Sequence, residues 1–163
     1  MIKSIITDSK VLKQKSELVT KDDDIKSIVQ DLKDTLEALK HGYALAAPQI
    51  GIFKQICYCK IPKEYNEQTK EMKYLELVII NPIISEKSQK LINRDEGCLS
   101  FPGVRINTDR CNLIVLNYED ENLKKTTALF DDLKAFVVQH ETDHLLGITI
   151  FDRKHKDINN RKK

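Results

Sequence analysis

Apolar positions recur along this chain with two different periods. Ile25, Ile28, Val29, Leu32, Leu36 and Leu39 fall three and four apart, the spacing that gathers side chains on one face of a helix. Asp22-Asp23-Asp24 lead into this run, where negative charge suits the positive end of a helix dipole, and Gly42 follows as a stop. Leu133, Phe136, Val137, His140, His144 and Leu145 repeat in the same way. They predict a second helix capped by Asp131 or Asp132 and stopped by Gly147. Between the two, residues 52–61, 75–80, 113–118 and 124–130 read as strands, with shorter ones near 83–85 and 90–92. The unbroken apolar run 75–80 predicts burial on both faces, and Asn81-Pro82 is expected to end it, because proline has no N–H for a central ladder. Residues 62–73 are polar and of both charge signs, as in an exposed hairpin loop, while Glu119-Asp120-Glu121-Asn122 has the chemistry of a tight turn. Residues 1–20 show little period and are expected to wrap the surface, anchored by Val11-Leu12.

Composition narrows the class. The 163 residues suit one domain with a real core, and 40% hydrophobic with 32% charged residues is ordinary for a globular protein. A net charge of +2 demands no nucleic-acid or membrane partner. Charge breaks the first eight residues before an apolar signal core develops, and no apolar run is long enough to cross a bilayer. A cytoplasmic location is expected. Cys57, Cys59, Cys98 and Cys111 then read as thiols rather than a disulfide framework. Cys57 and Cys59 lie two apart in a strand and face one side, as a buried pair or as ligands of a second metal.

The chemistry concentrates in Gln139-His140-Glu141-Thr142-Asp143-His144-Leu145. At 3.6 residues per turn, His140 and His144 project from one helix face and can share a divalent cation. Glu141 lies beside that cation without binding it, where a carboxylate can take a proton from water activated by the metal. An embedded carboxylate among Phe136, Val137 and Val138 is costly without such a partner. A helix supplies only two ligands. Cys98, in a short extended segment bounded by glycines and Pro102, is the candidate for a third. Upstream, the loop 41–51 is built of small residues, with Gln49 the polar side chain of its second half.

Taken in order, Ala46-Ala47-Pro48-Gln49, Glu96-Gly97-Cys98-Leu99-Ser100 and the His-Glu-x-x-His segment resemble the peptide deformylase family, and the likeness runs from Val11-Leu12 through Asn81-Pro82 to Phe151-Asp152. The resemblance implies an α+β fold, with mixed, mostly antiparallel sheets packed around a central metal-binding helix, and one catalytic domain over residues 1–163. It implies a hydrolase that removes the formyl group from N-terminal formylmethionine of nascent polypeptides and releases formate. Cys98, His140 and His144 correspond to the metal ligands and Glu141 to the general acid–base. Gln49, through its amide, and Leu99, through its backbone N–H, correspond to the donors that stabilise the oxyanion. Gly42, Tyr43, Ala44, Glu96, Gly97, Arg105, Leu133, Phe136 and Val137 correspond to substrate-binding positions, the last three lining the pocket for the methionine side chain. The implied ion is Fe(II), with zinc, nickel or cobalt as substitutes in purified protein.

Three positions depart from the family pattern: Ala44 and Asp132 stand where glycine is usual, and Arg94 where a smaller or apolar residue is common. Asp132 is expected to improve the helix cap. The basic end, Arg153-Lys154-His155-Lys156 and Arg161-Lys162-Lys163, fits a transient contact with ribosomal phosphates; no membrane or specific DNA partner is expected. Two other readings have different signatures. A zincin-type metallopeptidase takes its third ligand downstream, where only eighteen residues follow Leu145 and His155 is the sole histidine. A catalytically weak paralogue that merely binds formylated N-termini has no need of Glu141 and Gln49.

Overall fold

A computed structural model describes residues 1–155 of the chain. A one-turn helix, α1 (Ser9–Leu12), precedes α2 (Ile25–Ala38). Seven strands follow: β1 (Ala44–Ala46), β2 (Ile56–Asn66), β3 (Glu71–Lys87), β4 (Leu91–Gly97), β5 (Arg105–Cys111), β6 (Leu113–Glu119) and β7 (Lys125–Asp131). Helix α3 (Asp132–Leu145) closes the succession, before a 3-10 turn at Ile150–Arg153. One sheet has the order β1-β2-β3-β6-β7 and a second pairs β4 with β5. All of these ladders are antiparallel, and the only parallel pairing among the described residues is the isolated bridge Glu17 to Lys54. The class is α+β.

Helices pack on both faces of the five-stranded sheet, α2 towards its β1–β2 end, while Ile83 of β3 and Leu129 of β7 stay exposed. Ala135, Val137, Val138 and Leu145 of α3 share one core with Cys57, Cys59, Ile61, Ile79, Ile114 and Leu116. Val29, Leu32 and Leu36 of α2 share another with Leu45, Ile56, Tyr58 and Ile80. Alternation along β2 divides its side chains between the two, Cys57 and Cys59 to one side, Ile56 and Tyr58 to the other. Cys57 and Cys59 are free, buried thiols, and hydrogen bonding to Cys59 together with burial keeps Cys57 protonated. No helix among the described residues is long and apolar enough to cross a membrane.

Several boundaries differ from expectation. Helix α2 starts at Ile25, with Asp24 as its cap accepting from Ser27 N–H, and turns off at Lys40 (φ 57°) before Gly42 is reached. The polar stretch 62–73 is mostly strand: β2 and β3 pair as far as Asn66 and Glu71, because cross-strand partners such as Tyr65 and Met72 hold a hairpin whose sequence has no buried face. Asn81-Pro82 does not end β3. A register slip between Ile80 and Ile83 takes Pro82 out of the ladder, and Asn81, at φ 49°, bonds Val19 and Glu119 with its side chain. At the start of α3 neither aspartate caps: Asp131 holds the N-cap position but pairs with Lys134 at 2.6 Å, and Asp132 has φ 45°. Gly147 does stop this helix, at φ 71°, with Lys13 O only 2.4 Å from where a Cβ would stand. Leu12 is fully buried, so the N-terminal segment is anchored as expected, and Ser16 N–H donates to Leu145 O.

Candidate metal centre and active site

Strand β4 ends at Gly97, and the turn after it presents Cys98 to the face of α3 that carries the histidines. The 3-10 turn Ala47–Ile50 presents Gln49 from the other side. Cys98 Sγ lies 3.2 Å from His144 Nε2, which lies 3.2 Å from His140 Nε2, and the three donor atoms fall within 4.8 Å of one another. The structure therefore brings together three residues that the sequence separates by 46 and 4 positions.

Charge and proton placement test whether an ion fits. Glu96 accepts a hydrogen bond from His140 Nδ1, so the proton of that imidazole resides on Nδ1 and its Nε2 offers a lone pair. A thiolate and two ring nitrogens converging on one point repel unless a cation lies among them. Ligand bonds of about 2.3 Å to sulfur and 2.0–2.1 Å to nitrogen at tetrahedral angles put neighbouring donors roughly 3.3–3.6 Å apart, close to the two separations of 3.2 Å. The donor set fits one divalent ion. Without it, burial opposes protonation of His140, yet Cys98 and Glu96 outweigh burial and hold its pKa up at about 10. Burial and the His140 charge depress His144.

Glu141 is buried beside the histidines, and its Oε2 has no hydrogen-bond partner among the described residues. Burial raises its pKa to about 7, against the lowering influence of His140 and Arg110. Such a carboxyl can accept and return a proton near neutrality. Gln49 is fixed at one end, where its Oε1 accepts from Ala46 N–H at 2.9 Å. Its Nε2 must then point the other way, 3.1 Å from Ser100 Oγ and 3.7 Å from Cys98 Sγ. Leu99 follows Cys98 in the same turn, and its side chain lies where a Cβ on Gly42 would come within 3.1 Å. Gly42 (φ 104°) thus lets the loop pass closely over Leu99.

The expected substrate positions divide. Gly42, Tyr43 and Gly97 are exposed near the turn, while Ala44 is buried in β1. Arg105 is exposed and paired with Asp95, its guanidinium lying over Gly97. Val137 belongs to the core and Leu133 packs on it. Phe136 is half-buried, with the guanidinium groups of Arg94 and Arg110 5.6 and 5.5 Å from its ring centre. Glu96 is 2% exposed, and Arg110, Thr108 and His140 bond its carboxylate oxygens. Burial raises its pKa, but Arg110 and His140 outweigh burial and keep the carboxyl well below the usual range.

Sequence reading passed over Arg110, Thr108 and Asp143. Arg110 donates Nε and Nη2 to Glu96 at 2.8 and 2.7 Å and Nη1 to Asp143 at 2.8 Å. Asp143 sits within the His-Glu-x-x-His segment, and an aspartate on the buried side of a helix was the available signal.

The family model described as polypeptide deformylase matches residues 2–162. A peptide deformylase of Chloroflexus aurantiacus is 39% identical over 153 residues, 90% of this chain and 81% of its own length. One of Microchaete diplosiphon is 35% identical over 145 residues, 88% of this chain and 74% of its own. Among solved structures, the peptide deformylase of Ehrlichia chaffeensis superposes with a TM-score of 0.85 at 34% identity, covering 96% of this chain and 89% of that one. The actinonin complex of a Synechococcus elongatus peptide deformylase gives 0.80 at 32%, covering 96% and 80%.

Proposed function

Because this chain belongs to the polypeptide deformylase family, and so removes the formyl group from nascent polypeptides, we propose that Cys98, His140 and His144 hold its divalent ion and that Glu141 is its general acid–base. The observation that carries this assignment is the convergence of Sγ and two Nε2 atoms beside an unpartnered carboxylate oxygen. When bound, the ion supplies Lewis acidity, activating water and polarising the formyl oxygen. Glu141 takes the proton from the attacking water and returns it to the departing amine, so the bond between formyl carbon and nitrogen breaks into formate and a free N-terminus. The Gln49 amide and the Leu99 backbone N–H donate to the oxygen as it gains charge. Gly42, Tyr43, Ala44 and Gly97 offer backbone to the peptide, Arg105 meets its outgoing part, and Leu133, Phe136 and Val137 flank the methionine side chain. Residues 1–163 act as one catalytic domain.

A thiolate with two imidazoles accepts iron, zinc, nickel or cobalt, and Fe(II) is the working ion of this reading, in a cytoplasmic enzyme. Arg153 is bonded to Asp143, which leaves the transient ribosome contact to the other basic residues of the tail, among them Lys156, Arg161, Lys162 and Lys163, which lie outside the described residues. The deciding experiment measures formate release from a formyl-Met-Ala peptide by Fe(II)-loaded protein kept from oxygen. Turnover that disappears in Cys98→Ala along with the ion supports the assignment. Undiminished metal content in Cys98→Ala refutes it.

A further inference from the structure

Asp143 precedes the ligand His144 on α3 and is buried, yet two guanidinium groups reach it. Arg110 donates Nη1 to Oδ2 at 2.8 Å. Arg153 donates Nη2 to Oδ1 at 2.7 Å and Nε to Oδ2 at 3.0 Å, a forked grip that holds the carboxylate in one orientation. Arg110 donates Nε and Nη2 to Glu96, and Glu96 holds Nδ1 of His140. The series Arg153, Asp143, Arg110, Glu96, His140 is unbroken from the protein surface to a ligand of the ion.

Two carboxylates and two guanidinium groups balance in this series. Without Arg153, Arg110 is the one guanidinium left to two buried carboxylates, and the uncompensated Asp143 draws it from its fork on Glu96. The ring of His140 is then held less firmly, because Glu96 accepts from its Nδ1. Arg153 is also the accessible member, its side chain 43% exposed against 4% for Arg110, 8% for Asp143 and 1% for Glu96. It comes from the turn Ile150–Arg153. That turn is tied to β5 where Lys154 bridges Thr108 and His155 N–H donates to Asn107 O at 2.7 Å. Thr108 and Arg110, the partners of Glu96, lie on the same strand.

We propose that Arg153 is a positioning residue for the metal centre, acting through Asp143, Arg110 and Glu96 on His140, so that docking of the C-terminal turn sets how tightly the ion is held. This rests on the reading of Cys98, His140 and His144 as ligands. The test loads wild type, R153A and R153K with Co(II), records the ligand-field and thiolate charge-transfer bands, and measures affinity by chelator competition. R153A should bind Co(II) about tenfold more weakly, the low end of the range for losing a direct partner of a ligand, because three residues stand between it and His140, with displaced ligand-field bands. R153K keeps a cation beside Asp143 and should recover most of that loss. In a D143N background, where the charge that Arg153 balances is gone, R153A should change affinity by less than about threefold. If R153A does not accumulate folded, R153Q supplies the same comparison with a donor but no charge. Wild-type affinity and spectrum in R153A or R153Q, whatever happens to Tm, overturn the proposal, as does an undiminished effect in D143N. A wild type that takes up no Co(II) with a thiolate band overturns the ligand assignment instead.

Discussion

Glu96 grips Nδ1 of His140 across 44 positions of sequence, joining the end of β4 to the middle of α3 behind the ligand atom. The same carboxylate neutralises Arg110, whose side chain is only 4% exposed. Glu96→Ala therefore removes two things at once. It leaves a buried guanidinium short of a partner, which should cost roughly 3–5 kcal/mol of stability, and it frees the His140 ring, which should weaken metal binding about 10–100-fold. Glu96→Gln keeps an acceptor for Nδ1 and should fall between. Denaturant unfolding and chelator competition check the pair of effects; unchanged metal affinity in Glu96→Ala would refute the positioning role.

Gln49 cannot rotate its amide without losing the Ala46 N–H bond, so its donor is aimed before substrate arrives. Gln49→Ala should lower kcat by about a hundredfold to a thousandfold and leave the metal content intact. Ser100→Ala removes only the neighbour on which Nε2 rests, and its loss should be smaller. A Gln49→Ala enzyme that loses peptide affinity but keeps kcat would make Gln49 a binding residue only.

Gly147 cannot carry a side chain. Its φ of 71° disfavours one, and the Cβ would lie 2.4 Å from Lys13 O and 2.8 Å from Lys13 C, backbone atoms that cannot yield cheaply. Gly147→Ala should cost on the order of 3 kcal/mol from the left-handed backbone and overpacking together. A denaturation midpoint equal to wild type would show that the N-terminal segment moves aside freely.

Asp132 stands where the helix entry demands φ 45°, a conformation glycine adopts without penalty. Asp132→Gly should raise stability by up to about 1 kcal/mol, while Asp132→Val, branched at Cβ, should lower it. Thermal melts of the three proteins should rank them Gly, Asp, Val; a higher melting point for Val would contradict the strained-entry account.

What the sequence made legible follows from how local each cause is. The helix face bearing His140 and His144 is a matter of spacing, and the two helices announce themselves by period. The β2–β3 hairpin beyond Ile61 did not, because its stability lies in pairing between strands whose exposed faces carry no hydrophobic alternation. Pro82 read as a terminator because a bulge that removes one residue from the ladder leaves no mark on periodicity. Glu96 was legible as a site residue, but its bonds to a buried arginine were not, because Arg110 lies fourteen residues away on the partner strand. Arg153 reads as part of a basic end in sequence, and its hold on Asp143 exists only once β5 and α3 are packed.

Glu141 can serve as a base only when ionised, and that fixes the sign of two pH dependences. Burial holds its pKa at about 7, with His140 and Arg110 pulling it down. Turnover should therefore rise with pH and level off. A bound divalent cation favours the carboxylate, so the acid limb of the loaded enzyme should lie between the ordinary 4.5 and about 7. Stability runs in the opposite direction. A carboxyl whose folded pKa exceeds its unfolded value binds more protons when folded, so its contribution declines as pH climbs from 4.5 to about 7. In chelated protein no cation offsets that decline. Denaturant midpoints of chelated wild type should fall relative to those of Glu141→Gln across this window, because the amide has no charge to bury. Titrating groups that Glu141 does not influence cancel in the difference, whereas His140, whose pKa Glu141 helps raise, contributes to it. Metal-loaded Glu141→Gln should retain its ion and lose turnover. Parallel midpoint curves for the two chelated proteins would mean that Glu141 titrates as an ordinary carboxylate, and the buried base would have to be sought elsewhere.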